Sequence, residues 1–216
     1  TSTVKKSKVG LINSLSLVSD KVKLILADFP EIISSSLKGS APKHEIVHDI
    51  ITEGPPVVSK VRNLDAEKLK AAKAEFDNML EAGVVERSDS EWASPLHMVR
   101  KRGGGWRPCG DFRRLNLITT PDKYPLPRIV NLTTNLKGAK VFSKLDILKA
   151  YWQIPMSESS KRKTCIITPF GSFQFLRMPF GLRNAGSRFQ RLMDSVFSGL
   201  GFVNNNNNNN SSSSSS

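Results

Sequence analysis

The sequence predicts an α+β fold, because segments with helical spacing and segments with strand alternation are mixed along the chain without regular alternation. A chain of 216 residues with 38% hydrophobic and 24% charged residues has the average composition of globular proteins and can bury a core. Its two cysteines, Cys109 and Cys165, form no CxxC pair, so the sequence predicts neither a disulfide framework nor a cysteine zinc site.

Three regions are expected along the chain. Residues 1–43 combine a helical stretch near Asp20–Phe29 with a Ser/Gly/Pro-rich linker at 34–42, which predicts a weakly structured lead-in. Residues 44–203 form the domain, and the Asn and Ser runs at 204–216 form a low-complexity tail. No apolar run approaches the roughly 18 residues of a membrane span, and no secretory signal opens the chain. We therefore expect an intracellular protein that is not secreted and does not contact a membrane.

The first half of the domain predicts a helix and then a hairpin. Asp65 is the predicted N-cap and Gly83 the stop of the helix, whose apolar residues recur at helical spacing: Leu69, Ala72, Phe76 and Leu80. Residues 96–101 and 106–111 predict two strands joined at a glycine tip, and Pro108 places the second strand at a sheet edge. We call this pair the basic hairpin.

The second half begins with a predicted helix and a buried strand. Pro125 and Pro127 lead into a short helix that ends near Gly138. Residues 140–147 alternate as a buried strand does, which places Asp146 near the strand end, before a turn.

A second hairpin and a last helix follow. Residues 162–168 and 172–177 predict two strands around Phe170-Gly171. Asn184 is the predicted cap of a helix with one apolar face: Phe189, Leu192, Val196 and Leu200.

The positive charge is confined to the second half of the chain. Residues 1–95 contain 13 Lys and Arg against 14 Asp and Glu, whereas residues 96–216 contain 19 against 5. Such an uneven distribution is typical of proteins that bind a phosphate backbone, although a solvated basic face has the same composition. An anionic membrane surface is less favoured, because no helix carries a Lys/Arg stripe opposite an apolar face.

The stretch His44–His48 reads HEIVH and matches the HExxH motif of zinc peptidases. That motif requires a helix, which places both imidazoles on one face. Here Pro42 precedes the motif, residues 46–52 are rich in β-branched side chains, and Gly54–Pro56 would end any helix. We therefore predict an extended segment without zinc, and a zinc peptidase is the least favoured function.

The run Gly103–Gly105 lacks both the GK[ST] of a P-loop and the GxGxxG spacing of a dinucleotide turn. It is either a flexible hairpin tip or part of a mobile arm that closes on a triphosphate. The flexible tip is the default interpretation, and the cations on both sides, among them Arg100, Lys101 and Arg107, keep the second one open.

Asp146 either caps a turn and pairs with Lys144 or Lys149, or it binds Mg²⁺ beside a phosphate. A two-metal site needs further carboxylates, and the acids that follow it are Glu158 and Asp194, neither of which is a persuasive partner.

Six ordered segments together closely resemble the reverse transcriptase of gypsy-type LTR retrotransposons. The resemblance covers roughly residues 44–203 and implies the fingers and N-terminal palm of a right-hand polymerase. The segments are WASPLHMVRK (92–101), WRPCGDFRRLN (106–116), YPLP (124–127), FSKLDILKAYWQIP (142–155), TPFGSFQFLRMPFGLRNA (168–185) and FQRLMD (189–194).

The resemblance implies roles for individual residues. Asp146 is the catalytic, metal-binding aspartate, and Tyr151 is the aromatic residue that packs under the deoxyribose and excludes a 2′-hydroxyl. Arg107 binds the dNTP triphosphate, and Arg100 or Lys101 binds its γ-phosphate.

Two further groups of residues are implied. Trp106, Asp111 and Arg113 support the fingers structurally. Phe180, Gly181 and Arg183 line the nucleotide and template site.

The resemblance also implies cofactors and partners. These are two Mg²⁺ (or Mn²⁺) ions, a dNTP, an RNA or DNA template–primer, and the protease, RNase H and integrase of a Pol polyprotein. A cytoplasmic particle or the nucleus is the implied location.

Family members continue from the region of Val203 into a Tyr-x-Asp-Asp turn that supplies further metal carboxylates, and no such motif occurs in these 216 residues. We therefore expect an incomplete palm without a thumb, and a chain that is inactive by itself. The alternative is a non-catalytic remnant that binds nucleic acid through its basic half.

Overall fold

The computed structural model describes residues 24, 25, 27–29, 44–126, 147 and 149–198. The chain divides into two compact units, residues 1–40 and 41–216. In the first unit, residues 24, 25 and 27 are helical, inside the stretch predicted to be a helix. The helix predicted to end near Gly138 and nearly all of the predicted strand at 140–147 lie outside the described residues.

The described part of the second unit contains one five-stranded sheet and four α-helices, which confirms the predicted α+β class. The strands are β1 (Val85–Arg87), β2 (Ser94–Arg100), β3 (Trp106–Gly110), β4 (Ile166–Thr168) and β5 (Gly171–Phe175), in the order β1-β5-β4-β2-β3. The helices are α1 (Ala66–Glu81), α2 (Arg113–Ile118), α3 (Glu158–Lys161) and α4 (Ala185–Val196). Two 3₁₀ turns cover Ala150–Gln153 and Arg162–Thr164. None of the described helices has the length and apolar character needed to cross a membrane.

Helix α1 forms as its sequence predicts. The Asp65 carboxylate accepts a hydrogen bond from the backbone N–H of Lys68, which satisfies one of the unpaired amides of the first turn. Gly83 follows the last turn at φ +64°, a left-handed conformation that favours glycine. The buried face of the helix is Ala72, Phe76 and Met79. Phe76 packs against Phe173 of β5, with 4.8 Å between the ring centroids.

The basic hairpin is confirmed as β2 and β3. The strands pair antiparallel, with Arg100 opposite Trp106, and β3 lies at the edge of the sheet. At the tip, the Lys101 N–H donates to the Gly105 carbonyl, and both Gly104 and Gly105 have φ above +75°. Gly110 at the other end touches the core so closely that an added Cβ would lie 2.6 Å from the Phe112 ring.

Two local predictions need correction. Residues 162–164, predicted as the start of a strand, form a 3₁₀ turn, because the Thr164 hydroxyl donates back to the Lys161 carbonyl and accepts from the Phe175 N–H. Asn184 occupies the N-cap position of α4, but its side chain bonds the backbone of another loop, at Thr120 and Asp122. Tertiary partners here replace the local capping hydrogen bond.

An extended lead segment, residues 44–64, runs over the domain before α1. It pairs through isolated bridges of His48 with Met156, of Thr52 with Thr119 and of Val58 with Ala93. The HEIVH motif therefore lies in extended chain, as its prolines and β-branched residues predict.

Candidate functional site

A cation and three aromatic rings from four separate segments form one continuous row. The guanidinium carbon of Arg107 lies 5.8 Å from the centre of the Phe180 ring. Phe180 lies 4.9 Å from Tyr151, and Tyr151 lies 5.6 Å from Phe189. Arg107 is exposed, Tyr151 half-buried and Phe189 buried, so the row runs from solvent into the core. The structure thus brings together three of the predicted site residues, Arg107, Tyr151 and Phe180.

Strand alternation directs Arg107 toward this row. The preceding residue, Trp106, points to the opposite side of β3, where its indole N–H donates to the Glu67 carboxylate at 2.9 Å. The ammonium group of Lys68 lies 4.8 Å from the centre of the same indole. Helix α1 therefore holds one face of β3 while the other face presents Arg107.

Phe180 belongs to a tight turn, residues 178–183, which we call the Phe180 turn. Met178 anchors its first end, because this residue is buried and its N–H donates to the Ile154 carbonyl. Gly181 has φ +89°, a backbone conformation that other residues rarely adopt. The Arg183 guanidinium donates to the carbonyls of Asn116 and Thr119, at 3.0 and 3.2 Å, and thereby braces the last residue of the turn.

Tyr151 lies in the 3₁₀ turn that follows Lys149, whose φ is +51°. The Lys149 ammonium group rests 4.6 Å from the Trp152 ring centre, while the buried Ala150 fixes the start of the turn. This short turn presents the Tyr151 ring to Phe180 on one side and to Phe189 of α4 on the other.

Asp111 is the centre of an ion-pair cluster beside the hairpin. Arg113 donates to both of its oxygens, at 2.8 and 2.7 Å, and Arg62 of the lead segment donates at 2.6 Å. The hydrogen bonds from Arg113, and then those from Arg62, hold the pKa of Asp111 well below its usual range. The cluster borders an open cleft of about 340 Å³ that also includes Gly181. Because its carboxylate is occupied by two arginines, Asp111 can fix this end of the hairpin.

The cations at the hairpin tip are presented to solvent. Arg100, Lys101 and Arg102 are all exposed. With Arg107 they form an arm of positive charge that can meet a polyphosphate.

The predicted metal ligand Asp146 lies outside the described residues. The two later acids have structural partners: Asp194 accepts hydrogen bonds from the Tyr124 hydroxyl and from Gln190, and Glu158 pairs with Lys161. In the part of the chain that the structure describes, no group of three metal-ligating side chains occurs. Among the predicted site residues, Asp146 and Asp111 have the hard carboxylate oxygens that Mg²⁺ prefers, and those of Asp111 already accept hydrogen bonds from two arginines.

The histidines of the HEIVH motif have different surroundings. One ring nitrogen of His44 lies 3.1 Å from the Gln153 carbonyl. His48 is 1% exposed, and its burial lowers its pKa to about 4, an effect that the positive charge of Arg188 reinforces and that Asp49 and Asp122 oppose. His48 is therefore neutral near pH 7.

Sequence reasoning assigned no role to Asn116. Its amide N–H donates to the Gly181 carbonyl at 2.8 Å, and its amide oxygen accepts from the Arg183 N–H at 2.9 Å. Asn116 lies within the six-residue helix α2, and its local sequence does not indicate a partner more than 60 residues away.

Comparison with known proteins identifies the domain. The family model described as reverse transcriptase (RNA-dependent DNA polymerase) matches residues 99–205. The chain is 34% identical over 178 residues to the retrovirus-related Pol polyprotein from transposon opus of Drosophila melanogaster. The aligned residues make up 80% of this chain and 18% of that relative. It is 41% identical over 128 residues to the retrovirus-related Pol polyprotein from transposon gypsy of the same species, and this alignment covers 56% of this chain and 12% of that relative. The chain thus spans less than a fifth of the length of these relatives.

Solved structures show the same fold. The prototype foamy virus protease–reverse transcriptase is similar with a TM-score of 0.73 and 19% identity, over 88% of this chain and 25% of that chain. A foamy viral protease–reverse transcriptase in complex with double-stranded DNA has a TM-score of 0.74 and 16% identity, over 95% of this chain and 38% of that chain. The prediction of an incomplete right-hand polymerase fold is consistent with these likenesses. The chain therefore belongs to the reverse transcriptase family and contains part of the reverse transcriptase region found in retrovirus-related Pol polyproteins of transposons.

Proposed function

We propose that this chain forms the nucleotide-binding side of a template-primed, RNA-directed DNA polymerase. The observation that carries the proposal is the row of Arg107, Phe180 and Tyr151, which joins the basic hairpin to an aromatic platform. In this assignment the triphosphate of a dNTP lies along the hairpin cations and its deoxyribose packs on Tyr151. The partners are the dNTP and an RNA or DNA template–primer.

The hairpin suits a triphosphate for electrostatic reasons. Charge-assisted hydrogen bonds to phosphate are roughly twice as strong as neutral ones, at about 1.5–3 kcal/mol each. Arg107 and the exposed tip residues Arg100 and Lys101 supply such donors on one hairpin. Arg107 binds the triphosphate, and Arg100 or Lys101 reaches the γ-phosphate.

The aromatic platform suits a deoxyribose. A ring packed against the sugar leaves no room for a 2′-hydroxyl, provided that the ring cannot swing away. Phe180 and Phe189 hold Tyr151 from two sides, at 4.9 and 5.6 Å, and so limit its movement.

Asp146 would hold a divalent metal ion at this site, with Mg²⁺ as the expected ion. A bound Mg²⁺ supplies charge neutralisation for the phosphoryl oxygens during in-line attack by the primer 3′-hydroxyl. A single carboxylate cannot hold the two ions of this chemistry, so we propose that the 216-residue polypeptide does not complete nucleotidyl transfer by itself.

Nucleotide binding tests the assignment of the hairpin. The measurement is the affinity of the chain for a fluorescent dATP analogue, with primer–template and Mg²⁺ present. Arg107→Ala should weaken binding at least about tenfold, because one charge-assisted hydrogen bond is lost. Arg87→Ala is the matched control, since Arg87 also lies over a phenylalanine ring, 5.5 Å from the centre of Phe173. An equal loss in both variants, or none in either, would contradict the assignment.

A chain that only binds nucleic acid through its basic half would give a different result. Its binding to primer–template would fall steeply with salt, would need neither dNTP nor Mg²⁺, and would survive Asp146→Ala.

Primer extension tests the proposed inactivity. Purified residues 1–216 should add no nucleotide to a primer–template in Mg²⁺ or Mn²⁺. Extension that disappears in Asp146→Ala would show that the chain is active alone and that this part of the proposal is wrong.

A further inference from the structure

Asn116 joins the hairpin side of the site to the Phe180 turn through a reciprocal pair of hydrogen bonds. Its amide N–H donates to the Gly181 carbonyl at 2.8 Å, and its amide oxygen accepts from the backbone N–H of Arg183 at 2.9 Å. The Arg183 side chain returns the contact by donating to the Asn116 carbonyl at 3.0 Å. One bond needs a donor and the other an acceptor, and the Asn116 amide supplies both from one side chain.

The turn depends on such a partner. Gly181 has a positive φ, and Phe180 directly before it is 39% exposed, so the ring is not held by burial in the core. Met178 anchors the turn before Phe180 through its N–H to the Ile154 carbonyl. Asn116 anchors it after Phe180, and the ring lies between the two anchors.

Asn116 is itself fixed to the hairpin. It lies on helix α2, which follows β3 after two residues and is packed into the core by Phe112 and Leu115, each 1% exposed. The backbone N–H of Asn116 donates to the Phe112 carbonyl at 2.7 Å. A change in the position of Asn116 would therefore move the Phe180 turn relative to the strand that carries Arg107.

We infer that Asn116 is a positioning residue for the nucleotide site, which sets the place of Phe180 and through it the places of Arg107 and Tyr151. It touches neither of the last two residues and acts through the turn. The inference rests on the proposed function, because it assigns Asn116 a part in dNTP binding and in selection against ribonucleotides. The selection follows because Phe180 confines the Tyr151 ring.

Asn184 provides a matched control. Its amide also makes one donor and one acceptor bond to a distant backbone, to the Thr120 carbonyl at 2.7 Å and from the Asp122 N–H at 3.0 Å. Asn116→Ala and Asn184→Ala should therefore lower Tm by similar amounts, because each removes two hydrogen bonds of the same kind. Only Asn116→Ala should change the nucleotide site.

Two readouts in the full chain test the inference. The first is the NMR shift of the Arg107 side-chain protons, which the Phe180 ring displaces. In Asn116→Ala this shift should return toward the value of an arginine without a ring neighbour, and in Asn184→Ala it should stay. The second is the ratio of dATP to ATP affinity, with primer–template and Mg²⁺ present, which should fall at least about fivefold in Asn116→Ala alone, because the affected hydrogen bonds contribute a comparable free energy.

The outcomes distinguish failure of the positioning role of Asn116 from failure of the proposed nucleotide binding. An unchanged Arg107 shift in folded Asn116→Ala, or an equal change in Asn184→Ala, would overturn the positioning role. If Asn116→Ala does not fold, Asn116→Asp gives the same test, because it keeps the acceptor for Arg183 and loses the donor to Gly181. If the wild-type chain binds no dATP, the proposed function is wrong, while the Arg107 shift still decides whether Asn116 positions Phe180.

Discussion

The basic hairpin and helix α4 both carry several cations but use them differently. On α4, Arg191 lies 2.9 Å from Asp122, and Arg188 lies 3.9 Å from Asp49. At the hairpin, Arg100, Lys101 and Arg107 are exposed, and no described carboxylate forms an ion pair with them. Net charge alone therefore does not identify the phosphate-binding surface. We propose that the hairpin cations form this surface, because they lie together and their charge is still available to a ligand.

Neutralising the hairpin should have the largest effect. The triple variant Arg100→Ala, Lys101→Ala and Arg107→Ala should weaken binding of the dATP analogue by about 100-fold, because two or more charge-assisted contacts are lost. Its Tm should change little, since all three side chains are exposed.

The control for this variant is Arg188→Ala with Arg191→Ala on α4. It should lower the free energy of unfolding by about 1–2 kcal/mol and change nucleotide affinity less than about twofold. A comparable loss of affinity in the α4 variant would break the distinction between the two regions.

Acid should act on the lead segment, which meets α4 through the Asp49–Arg188 ion pair, before it acts on the hairpin. The pKa of His48 falls from 6.5 to about 4 on folding, so protonation favours the unfolded chain. The stability from neutral His48 is complete above pH 6.5 and is lost as pH falls toward 4, up to roughly 3 kcal/mol. The pKa of Asp111 is also lowered, so its ion pairs are lost only when the pH falls below the usual pKa range of an aspartate.

Chemical denaturation between pH 7 and pH 4 measures this loss. His48→Gln should flatten the dependence of unfolding free energy on pH in this range. A slope that persists in His48→Gln would assign the acid sensitivity to other groups.

The contact between Trp106 and α1 should contribute least. Glu67→Ala removes the acceptor of the indole N–H and should lower the free energy of unfolding by less than about 1 kcal/mol, because the bond is exposed. Nucleotide affinity should fall about twofold, as β3 gains freedom. Asp77→Ala, at an exposed acid of the same helix, should change neither quantity. If Glu67→Ala weakened nucleotide binding more than the triple hairpin variant does, the proposed order of effects would be wrong.

Local elements could be predicted from the sequence because local signals specify them. The cap at Asp65, the stop at Gly83 and the glycine tip of the hairpin each act within a few residues. The parallel pairing of β2 with β4, which places Ser94 opposite Ile166, and the three-residue strand β1 leave no such local signal. Asn184 shows the same limit, since its position was predicted correctly and its hydrogen-bond partners were not.

The site residues also divide into those that the sequence could indicate and those that depend on contacts between distant segments. Arg107, Tyr151 and Phe180 could be assigned only because six segments together resemble one family. Their contact is a property of the folded chain and could not be derived from spacing. Asn116 was missed because its partners, Gly181 and Arg183, are distant in sequence. The roles of Arg107, Tyr151 and Phe180 stay predictions, as do those of Asp111, Arg113 and Asp146.

The most direct test of the nucleotide site is the ratio of dATP to ATP affinity in the wild-type chain and in Tyr151→Ala, with primer–template and Mg²⁺ present. Tyr124→Ala is the control, because Tyr124 is the other tyrosine of the chain and its hydroxyl bonds Asp194. We predict that the wild type and Tyr124→Ala prefer dATP and that Tyr151→Ala loses this preference. Equal affinities for dATP and ATP in the wild type, or a preference that survives in Tyr151→Ala, would contradict the account.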